Sequence, residues 1–323
     1  MHFRLVDANS VGYALHHAAE PRHVGELQTQ AISGMMTHFK SSLAYEPNSV
    51  NVVVWDGRAQ WRYDLHPGYK QGRHRTPEQR ETRALYEAQR PWMRKILALF
   101  PVLQVCHPGA EADDLAWGLC HQLTALGHLV TVYSVDADWF QMVSQRSQWK
   151  NARKPHQVVG LDGFTVASGG YPRPGAVAAV KALSGDTSDD IEGLPDVAIK
   201  RAGALIHKYG SIEGALNAAE DFLTFSAEPK HYHTLMIPKY RELVERNLKL
   251  IDLARGPTLN GGDVELTEGN FNDLELLLLI LELDLKQWEE NLEGWCRPLG
   301  RALKQDEVHT FKRALENLEK SWT

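Results

Sequence analysis

The amino-acid sequence predicts an α/β fold with a mostly parallel central sheet flanked by helices. Four β-branched runs, FRLVDA, NVVVWDG, VLQVC and LVTVYSVD, lead into polar turn residues within the first 150 positions. Helix-length amphipathic stretches separate these runs, and strands that alternate with helices in this way usually pair in parallel. Both faces of a parallel sheet are covered, which agrees with runs that are apolar almost throughout.

The chain divides into three parts that differ in composition and in predicted secondary structure. Residues 1–175 hold the strand runs and end in a stretch rich in Gly, Pro, Lys and Arg. The helices predicted in this part are 24–42, 76–99 and 112–126. Residues 176–255 look helical, and residues 256–323 begin with the loop GPTLNGGD and continue into two or three further helices. We therefore expect an α/β core, a helical region and a helical C-terminal extension.

Composition and charge are those of a globular chain. The 323 residues are 43% apolar and 24% charged, with a net charge of −6. The three cysteines, Cys106, Cys120 and Cys296, lack the spacing of metal ligands, so reduced thiols are expected. No signal-peptide pattern is present, and the apolar run 276–285 is too short to span a bilayer. We expect a cytoplasmic protein without a membrane partner.

Nine carboxylates in five short clusters are the most informative feature, and most lie at or just beyond the end of a predicted strand. They are Asp7, Asp56, Glu111, Asp113, Asp114, Asp136, Asp138, Asp186 and Asp189. The carboxyl ends of parallel strands meet at one edge of the sheet, where functional groups collect. Carboxylates gathered there repel one another by roughly several kcal/mol unless cations lie among them. A pair of hard divalent cations would fill this role and is typical of phosphodiester hydrolysis.

Each acidic cluster also has an ordinary structural explanation when it is taken alone. Asp136 and Asp138 fit a turn at the end of a strand. Glu111 fits the first turn of a helix, and Asp186 fits a capped turn. The Asp136-x-Asp138 pair also imitates the nucleophile motif of HAD-like phosphatases, although that class places the motif near its first strand. The combination of all five clusters favours a single metal site.

A basic and aromatic segment follows the second predicted strand. It begins with Tyr69, Lys70 and Arg73, shortly after Asp56 in the chain. Lys70 and Arg73 are therefore expected near the carboxylates, where they would offset the charge of a phosphate. Tyr69 would stack on a base. The segment continues with candidates for DNA contact, which are Arg75, Arg80 and Arg83, although glutamates among them also fit a solvated helix face.

Five motifs, in order, resemble those of the 5′→3′ exonuclease/flap endonuclease family, in the bacteriophage and bacterial form related to the 5′-nuclease domain of DNA polymerase I. They are LVDAN, VVVWDG, GAEADDLAWGL, VYSVDADWFQMV and ALSGDTSDDIEGLP, and they cover roughly residues 3–220. The resemblance implies a PIN-like nuclease core over 1–175 with a helical arch at about 69–98. It also implies a helix–hairpin–helix-like DNA-binding region over 176–255, whereas the extension 256–323 matches nothing in the family.

The resemblance further implies how the acids divide between two Mg²⁺ or Mn²⁺ ions. Five would lie near the first metal, namely Asp7, Asp56, Glu111, Asp113 and Asp114. Four would lie near the second metal, namely Asp136, Asp138, Asp186 and Asp189. Lys70 and Arg73 would contact the scissile phosphate at the base of the arch.

The hairpin of the DNA-binding region departs from the family pattern. Gly193, Lys200 and Arg201 match it, whereas Asp196 and Ala198 stand where glycines are usual. Asp tolerates a left-handed backbone, but Ala does so poorly, and a carboxylate facing phosphate would repel it. We therefore expect a weakened contact between duplex DNA and Lys200 and Arg201, and a weakened site for the K⁺ that such hairpins hold.

These observations predict a metal-dependent 5′→3′ exodeoxyribonuclease or flap endonuclease. Its substrate would be DNA with a 5′ end, a flap or a nick, or an RNA–DNA hybrid. The resemblance implies that it acts in replication and repair, for example in primer or flap removal, and we expect a monomer. Two other classes remain open, a DNA-binding protein of the same fold with weak catalysis and the HAD-like phosphatase.

Overall fold

A central sheet and two short hairpins contain the strands found in the described residues. The computed structural model describes residues 1–74, 76–225, 238–290, 294 and 297–322, with only the backbone described for 73, 74 and 219–225. The strands are β1 (His2–Asp7), β2 (His23–Val24), β3 (Leu27–Gln28), β4 (Ser49–Trp55), β5 (Leu103–Cys106), β6 (Leu129–Ser134), β7 (Ser147–Asn151), β8 (Val158–Val159), β9 (Gly185–Asp186), β10 (Ile191–Glu192) and β11 (Glu265–Glu268).

The central sheet has seven strands in the order β11-β5-β4-β1-β6-β7-β8. The five inner strands run parallel to one another, while β11 and β8 pair antiparallel at the two edges. β2 pairs with β3 and β9 with β10 in separate hairpins. The α/β class with a mostly parallel sheet is confirmed.

Side chains on the two faces of the sheet belong to two separate hydrophobic clusters. Every residue of β4 is buried. Val52 and Val54 join Leu5 in one cluster, while Val53 and Trp55 point to the other. Successive side chains of a strand point to opposite faces of the sheet, so neighbouring residues of β4 belong to different clusters. The acids beyond the strands are thus attached to a backbone that is fixed from both sides.

Helices cover both faces of the sheet and continue through the described part of the second half of the chain. In the described residues they are α1 (Ala8–Ala18), α2 (Gln30–Tyr45), α3 (Gln60–Leu65), α4 (Pro77–Glu87), α5 (Arg90–Leu97), α6 (Ala112–Ala125), α7 (Phe164–Ala167), α8 (Val177–Ser184), α9 (Ile199–Tyr209), α10 (Ile212–Phe225), α11 (Pro238–Ile251), α12 (Asp273–Glu282), α13 (Lys286–Glu289) and α14 (Gln305–Glu316). Within this described part, no helix has the length and apolar character that crossing a membrane requires.

The predicted helix 76–99 is two helices. Thr76 begins α4 with a capping box, in which its hydroxyl accepts a hydrogen bond of 3.2 Å from the Gln79 amide. Pro91 lies in the first turn of α5, a position that needs no amide donor, whereas inside one continuous helix its ring would clash. α4 is largely exposed apart from Tyr86, but α5 packs three apolar side chains into the core. The predicted arch segment therefore combines an exposed helix with a buried one.

The first predicted helix starts later than expected. It was predicted over 24–42, but α2 begins at Gln30, because β2 and β3 form a hairpin before it. Gly25 makes this turn with a φ of +57°, a conformation that costs glycine little. A two-residue strand carries too few residues to show an alternating pattern, so the hairpin has no clear signal in the sequence.

Of the two hairpin positions where glycine is usual in the family, 196 and 198, only one has a left-handed backbone conformation. Asp196 has a φ of +59°, which Asp tolerates. Ala198 has a φ of −76° and serves as the N-cap residue of α9. The strain expected at Ala198 is therefore absent, and that expectation was wrong. Arg201 donates a hydrogen bond to the Asp196 carbonyl, which fixes the turn to the helix.

The C-terminal extension is part of the core rather than an appendage. β11 adds an edge strand beside β5, a strand that the sequence did not predict. The helix α12 buries Leu276, Leu279 and Ile280 in the cluster that also holds side chains of α2 and α5. Near the end of the chain, the Trp322 indole donates a hydrogen bond of 3.1 Å to the Leu253 carbonyl.

Candidate active site

Parallel pairing brings three of the predicted acids to one edge of the sheet. Asp7 ends β1 and pairs in register with Val54 of the neighbouring β4, so Asp56 emerges beside it. On the other side of β1, β6 leads into Asp136. These three acids line a cleft of about 560 Å³ together with Glu111 and Asp113. The expected convergence of acids from distant parts of the chain is therefore present.

Asp7 is a buried carboxylate held by uncharged donors. Its two oxygens accept hydrogen bonds from the Ser10 amide at 2.9 Å and the Ser134 hydroxyl at 2.8 Å. Burial, reinforced by the charge of Asp56, raises the pKa of Asp7 to about 7.

Asp56 is held in the same way. The Ala112 amide at the start of α6 donates to it at 2.7 Å, and the Asn9 side chain donates to its other oxygen. Asn9 lies in the first turn of α1 and also lines the cleft. Sequence reasoning missed Asn9, although its position two residues after Asp7 at a strand end is a usable signal.

Glu111 is surrounded by donors from the segment after β4. Lys70 Nζ lies 2.7 Å from one of its oxygens, and the Tyr69 hydroxyl donates to the other at 2.9 Å. Tyr69 also lies 3.0 Å from Asp189, and Lys70 Nζ lies 3.7 Å from it. Lys70 and Tyr69 are therefore placed among the acids, and Asp189 belongs to this part of the site in the structure.

Asp113 and Asp114 are neighbours in sequence but differ in role. Asp114 is fully buried, and both of its oxygens lie 2.6 Å from the Arg62 guanidinium. Arg62 also contacts Glu111 at 3.2 Å and the Leu250 carbonyl at 3.1 Å. Asp113 instead faces the cleft, and burial raises its pKa well above the usual range. Arg62, missed by sequence reasoning, anchors α6 to α3 and α11.

Three acids of the predicted second group surround one lysine. Lys181 Nζ lies 2.7 Å from Asp138, 2.7 Å from Asp186 and 4.0 Å from Asp136. Burial disfavours its charge, but these carboxylates raise the pKa of Lys181 above its usual range, so it is positively charged. Sequence reasoning missed Lys181, although a lysine inside the apolar run AVAAVKAL, five residues before Asp186, is an available signal.

The remaining basic candidates lie at the cleft, on the exposed surfaces of α4 and α9, or outside the described residues. Arg83 lines the cleft and forms an ion pair with Glu87. Arg80 is exposed on α4, and Lys200 and Arg201 are exposed in the first turn of α9. Arg75 and the side chain of Arg73 lie outside the described part of the structure. Their assignments, like those of the nine acids to particular metals, stay predictions.

The donor set suits a hard divalent cation. Among the side chains that the structure describes, the cleft offers carboxylate oxygens and is lined by no cysteine or histidine, which is the chemistry that Mg²⁺ and Mn²⁺ prefer. Burial and neighbouring carboxylates raise the pKa values of Asp7 and Asp113, although Arg62 and Lys70 act to lower that of Asp113. A bound cation would offset this repulsion. Among the described residues, however, no three Asp, Glu, His or Cys side chains already converge on one point that could hold an ion.

Comparison with known proteins identifies the family. The model of the 5′-3′ exonuclease N-terminal resolvase-like domain matches residues 2–166, which is half of the chain. The chain belongs to this family. The match contains Asp7, Asp56, Glu111, Asp136 and the segment around Lys70, so most of the acidic cleft lies within the matched residues, whereas Ser188, which also lines it, follows them.

Curated relatives of this 5′-3′ exonuclease family member include DNA polymerases I and a flap endonuclease. It is 27% identical over 219 residues to the thermostable DNA polymerase I of Thermus aquaticus, which covers 66% of this chain and 24% of the polymerase. It therefore spans about a quarter of the length of that relative. It is also 27% identical over 281 residues to the flap endonuclease Xni of Edwardsiella ictaluri, which covers 85% of this chain and 98% of Xni.

Solved structures share the fold at lower identity. T5 5′-exonuclease with bound zinc superposes with a TM-score of 0.65 at 18% identity, covering 99% of this chain and all of the other. The catalytic core of Rad2 with a DNA substrate superposes with a TM-score of 0.54 at 16% identity, covering 92% of each chain. The coverage by T5 5′-exonuclease shows that the C-terminal extension is included in the shared fold.

Proposed function

We propose that this protein is a divalent-metal-dependent, structure-specific 5′ nuclease that hydrolyses DNA phosphodiesters as a 5′→3′ exonuclease, a flap endonuclease or both. The observation that carries this proposal is the cleft in which Asp7, Asp56 and Asp136 converge beside Lys70. Family membership supports the same reaction, as does the similarity to Xni, a named flap endonuclease. The T5 and Rad2 structures, named with metal ions and DNA, support a metal cofactor and a DNA partner.

The cleft would hold the metal with the carboxylates of Asp7, Asp56 and Asp113 on one side and Asp136 on the other. Divalent ions bound there, two Mg²⁺ or Mn²⁺ in the full complex, would supply a nucleophilic water and neutralise the leaving oxygen. Asn9 and the Ala112 amide orient Asp56, while Ser10 and Ser134 orient Asp7. The protein thus fixes these carboxylates by hydrogen bonds from neighbouring backbone and side-chain donors.

Lys70 is the group that we propose to act on the phosphate. Its ammonium lies between Glu111 and Asp189 and faces the cleft, so it can offset charge that develops on a bound phosphate. Its backbone has a φ of +56°, and its amide donates to the Asp189 carbonyl at 3.0 Å. This contact fixes the direction of the side chain. Tyr69, buried between Glu111 and Asp189, holds these two acids rather than presenting a free ring to a base.

Contacts with the rest of the DNA would come from exposed basic side chains. Arg83 at the cleft and Arg80 on α4 would follow a single strand, and Lys200 and Arg201 would follow the duplex. The unstrained turn at Ala198 leaves the backbone of the hairpin able to approach phosphate. We propose that the protein works as a monomer in the cytoplasm, on flaps or primers that arise in replication and repair.

The test is cleavage of a 5′-labelled flap DNA with Mg²⁺ and with EDTA. The proposal predicts short 5′ products only with Mg²⁺, and no products from Asp56→Asn. Retardation of the DNA without cleavage would indicate a binding protein instead, and release of phosphate from small esters would indicate a phosphatase. Mapping products on flap, nicked and blunt DNA then separates exonuclease from endonuclease action.

Lys70→Met provides the second arm of this test. Loss of one preorganised charge at a phosphate lowers turnover by about 10²–10³, while Mn²⁺ binding, measured by calorimetry, should persist because the ligand carboxylates remain. Lys286→Met is the matched control, since Lys286 is 74% exposed and distant in sequence from the cleft. Cleavage by Lys70→Met at the wild-type rate would show that Lys70 has no role in the reaction.

A further inference from the structure

Lys181 occupies the position that a second metal ion would need. Its ammonium lies 2.7 Å from one oxygen each of Asp138 and Asp186. A Mg²⁺ ion binds carboxylate oxygens at about 2.0–2.1 Å, so an ion that bridged the same two oxygens would lie where the nitrogen is. The ammonium and a bridging ion cannot both be present in this arrangement.

The lysine has little freedom to leave. It is 7% exposed and lies in α8 between the fully buried Val180 and Ala182. The C-terminal end of a helix also favours a positive charge, and Lys181 lies in the last turn of α8. Ser188 donates from its amide and hydroxyl to the other oxygen of Asp186, at 2.9 and 2.6 Å. These contacts hold the carboxylate in its orientation toward Lys181.

Asp7 and Asp56, which line the cleft, have different surroundings. Asp7 and Asp56 accept hydrogen bonds from the uncharged donors Ser10, Ser134, Ala112 and Asn9. Among the described residues, neither carboxylate forms an ion pair with a basic side chain, although Arg90 donates to the Asp56 backbone carbonyl at 3.3 Å. These two carboxylates are therefore not neutralised by direct contact, whereas Asp138 and Asp186 share the Lys181 ammonium.

We propose that the free protein binds one divalent cation tightly, at the Asp7–Asp56 end, and that Lys181 serves as a built-in cation at the second position. A second ion then binds the free protein weakly, and it binds well only when phosphate oxygens of DNA add ligands and draw it into the cleft. This inference rests on the proposed nuclease function for its metal ions, but it concerns the number of ions in the absence of DNA.

The test is a Mn²⁺ titration of the full chain by calorimetry, with bound ions also counted by electron paramagnetic resonance. Wild type should bind one ion tightly, and Lys181→Met should bind two, with the affinity of the second ion raised at least tenfold. Lys181→Arg, which keeps the charge, and the exposed control Lys286→Met should both bind one. Two ions of similar affinity in wild type, or one tight ion in a folded Lys181→Met, would overturn the proposal.

A further variant covers the case in which Lys181→Met does not fold, as judged by circular dichroism. Asp138 pairs with Lys181 in this proposal, so Asp138→Asn should keep the single tight ion, and loss of that ion would overturn it. The flap assay keeps the two ideas apart. Absence of Mg²⁺-dependent cleavage by wild type counts against the nuclease function, whereas an equal ion count in wild type and Lys181→Met counts only against the role of Lys181.

Discussion

At the scale of single residues, the buried guanidinium of Arg62 supports the site more than any exposed charge does. Arg62 and Asp114 are 2% and 0% exposed, and they make two contacts of 2.6 Å. With both oxygens on Arg62, Asp114 positions α6 and presents Glu111 and Asp113 to the cleft. Removing one partner of such a pair leaves an uncompensated buried charge, which costs far more than loss of a surface pair.

Arg62→Met is therefore expected to lower the free energy of unfolding by about 3–5 kcal/mol, measured by urea denaturation. The matched control is Arg255→Met, which breaks an ion pair with Asp252 in which the arginine is 59% exposed. That change should cost less than about 1 kcal/mol. Equal losses in the two variants would contradict the anchoring role of Arg62.

His38 gives the protein an acid sensitivity that is separate from the cleft. Burial lowers the pKa of His38 to about 4, with the charges of Arg4 and Lys150 adding to the effect, and its buried Nε2 has no hydrogen-bond partner in the described structure. Between pH 6.5 and 4 the His38 imidazole is protonated in the unfolded chain but stays neutral in the folded chain. Stability should thus fall with decreasing pH through this window, by up to about 1.4 kcal/mol per pH unit.

His38→Leu removes this proton and should flatten the fall of the thermal midpoint between pH 6.5 and 4.5. The measurement uses metal-free protein in EDTA, so that the carboxylates of the cleft are in the same state in each variant. His156→Leu, at an exposed position, is the control and should follow wild type. An unchanged pH profile in His38→Leu would show that this histidine is not the origin of the acid sensitivity.

At the scale of elements, sequence patterns predicted the long buried elements and missed the short exposed ones. β4 and α6 were predicted nearly to the residue, because a run of seven buried positions or a capped amphipathic helix has a strong local signal. β11 was missed, because its four residues are exposed or half-buried and it is defined by hydrogen bonds to β5. Pairing partners that are distant in sequence are not visible in a local pattern.

Gly118 shows how such long-range packing overrides helix propensity in α6. Replacing glycine by alanine inside a helix ordinarily stabilises it by about 1 kcal/mol. Here an added Cβ would lie 2.6 Å from the Trp322 ring and 2.8 Å from Leu318. Overpacking of this kind typically costs about 1–3 kcal/mol, so Gly118→Ala should be neutral to destabilising.

The check is a double-mutant cycle in thermal or urea unfolding. In a Trp322→Ala background one of the two clashes is removed, and Gly118→Ala should become less harmful there than in wild type. Additive effects of the two substitutions on the free energy of unfolding would mean that contact with Trp322 is not the reason for glycine at position 118.

At the scale of the whole molecule, the acids that the sequence identifies mark the position of the cleft. The residues that hold those acids in place were not identified from the sequence. The position of Asp7, Asp56 and Asp136 followed from the parallel sheet, which the sequence predicts. Arg62, Lys181 and Asn9 act through contacts with residues far away in the chain. The sequence offers a local signal for two of them, a charge inside an apolar helix at Lys181 and a polar residue just after a strand-end acid at Asn9, whereas nothing local distinguishes Arg62 from an ordinary helix residue.

Substitutions in the C-terminal extension can test whether the molecule unfolds as one unit. Trp288 of α13 is fully buried in the cluster that contains Phe39 and Met93 of the nuclease core, whereas Leu278 of α12 is 57% exposed. Trp288→Ala should lower the stability of the whole chain by about 3–5 kcal/mol, and Leu278→Ala should change it by less than about 0.5 kcal/mol. Calorimetry should show one transition that shifts in Trp288→Ala, together with loss of flap cleavage at a lower temperature. A separate early transition that leaves cleavage unaffected would instead mean that the extension is an independent domain, since only a shared core couples the two.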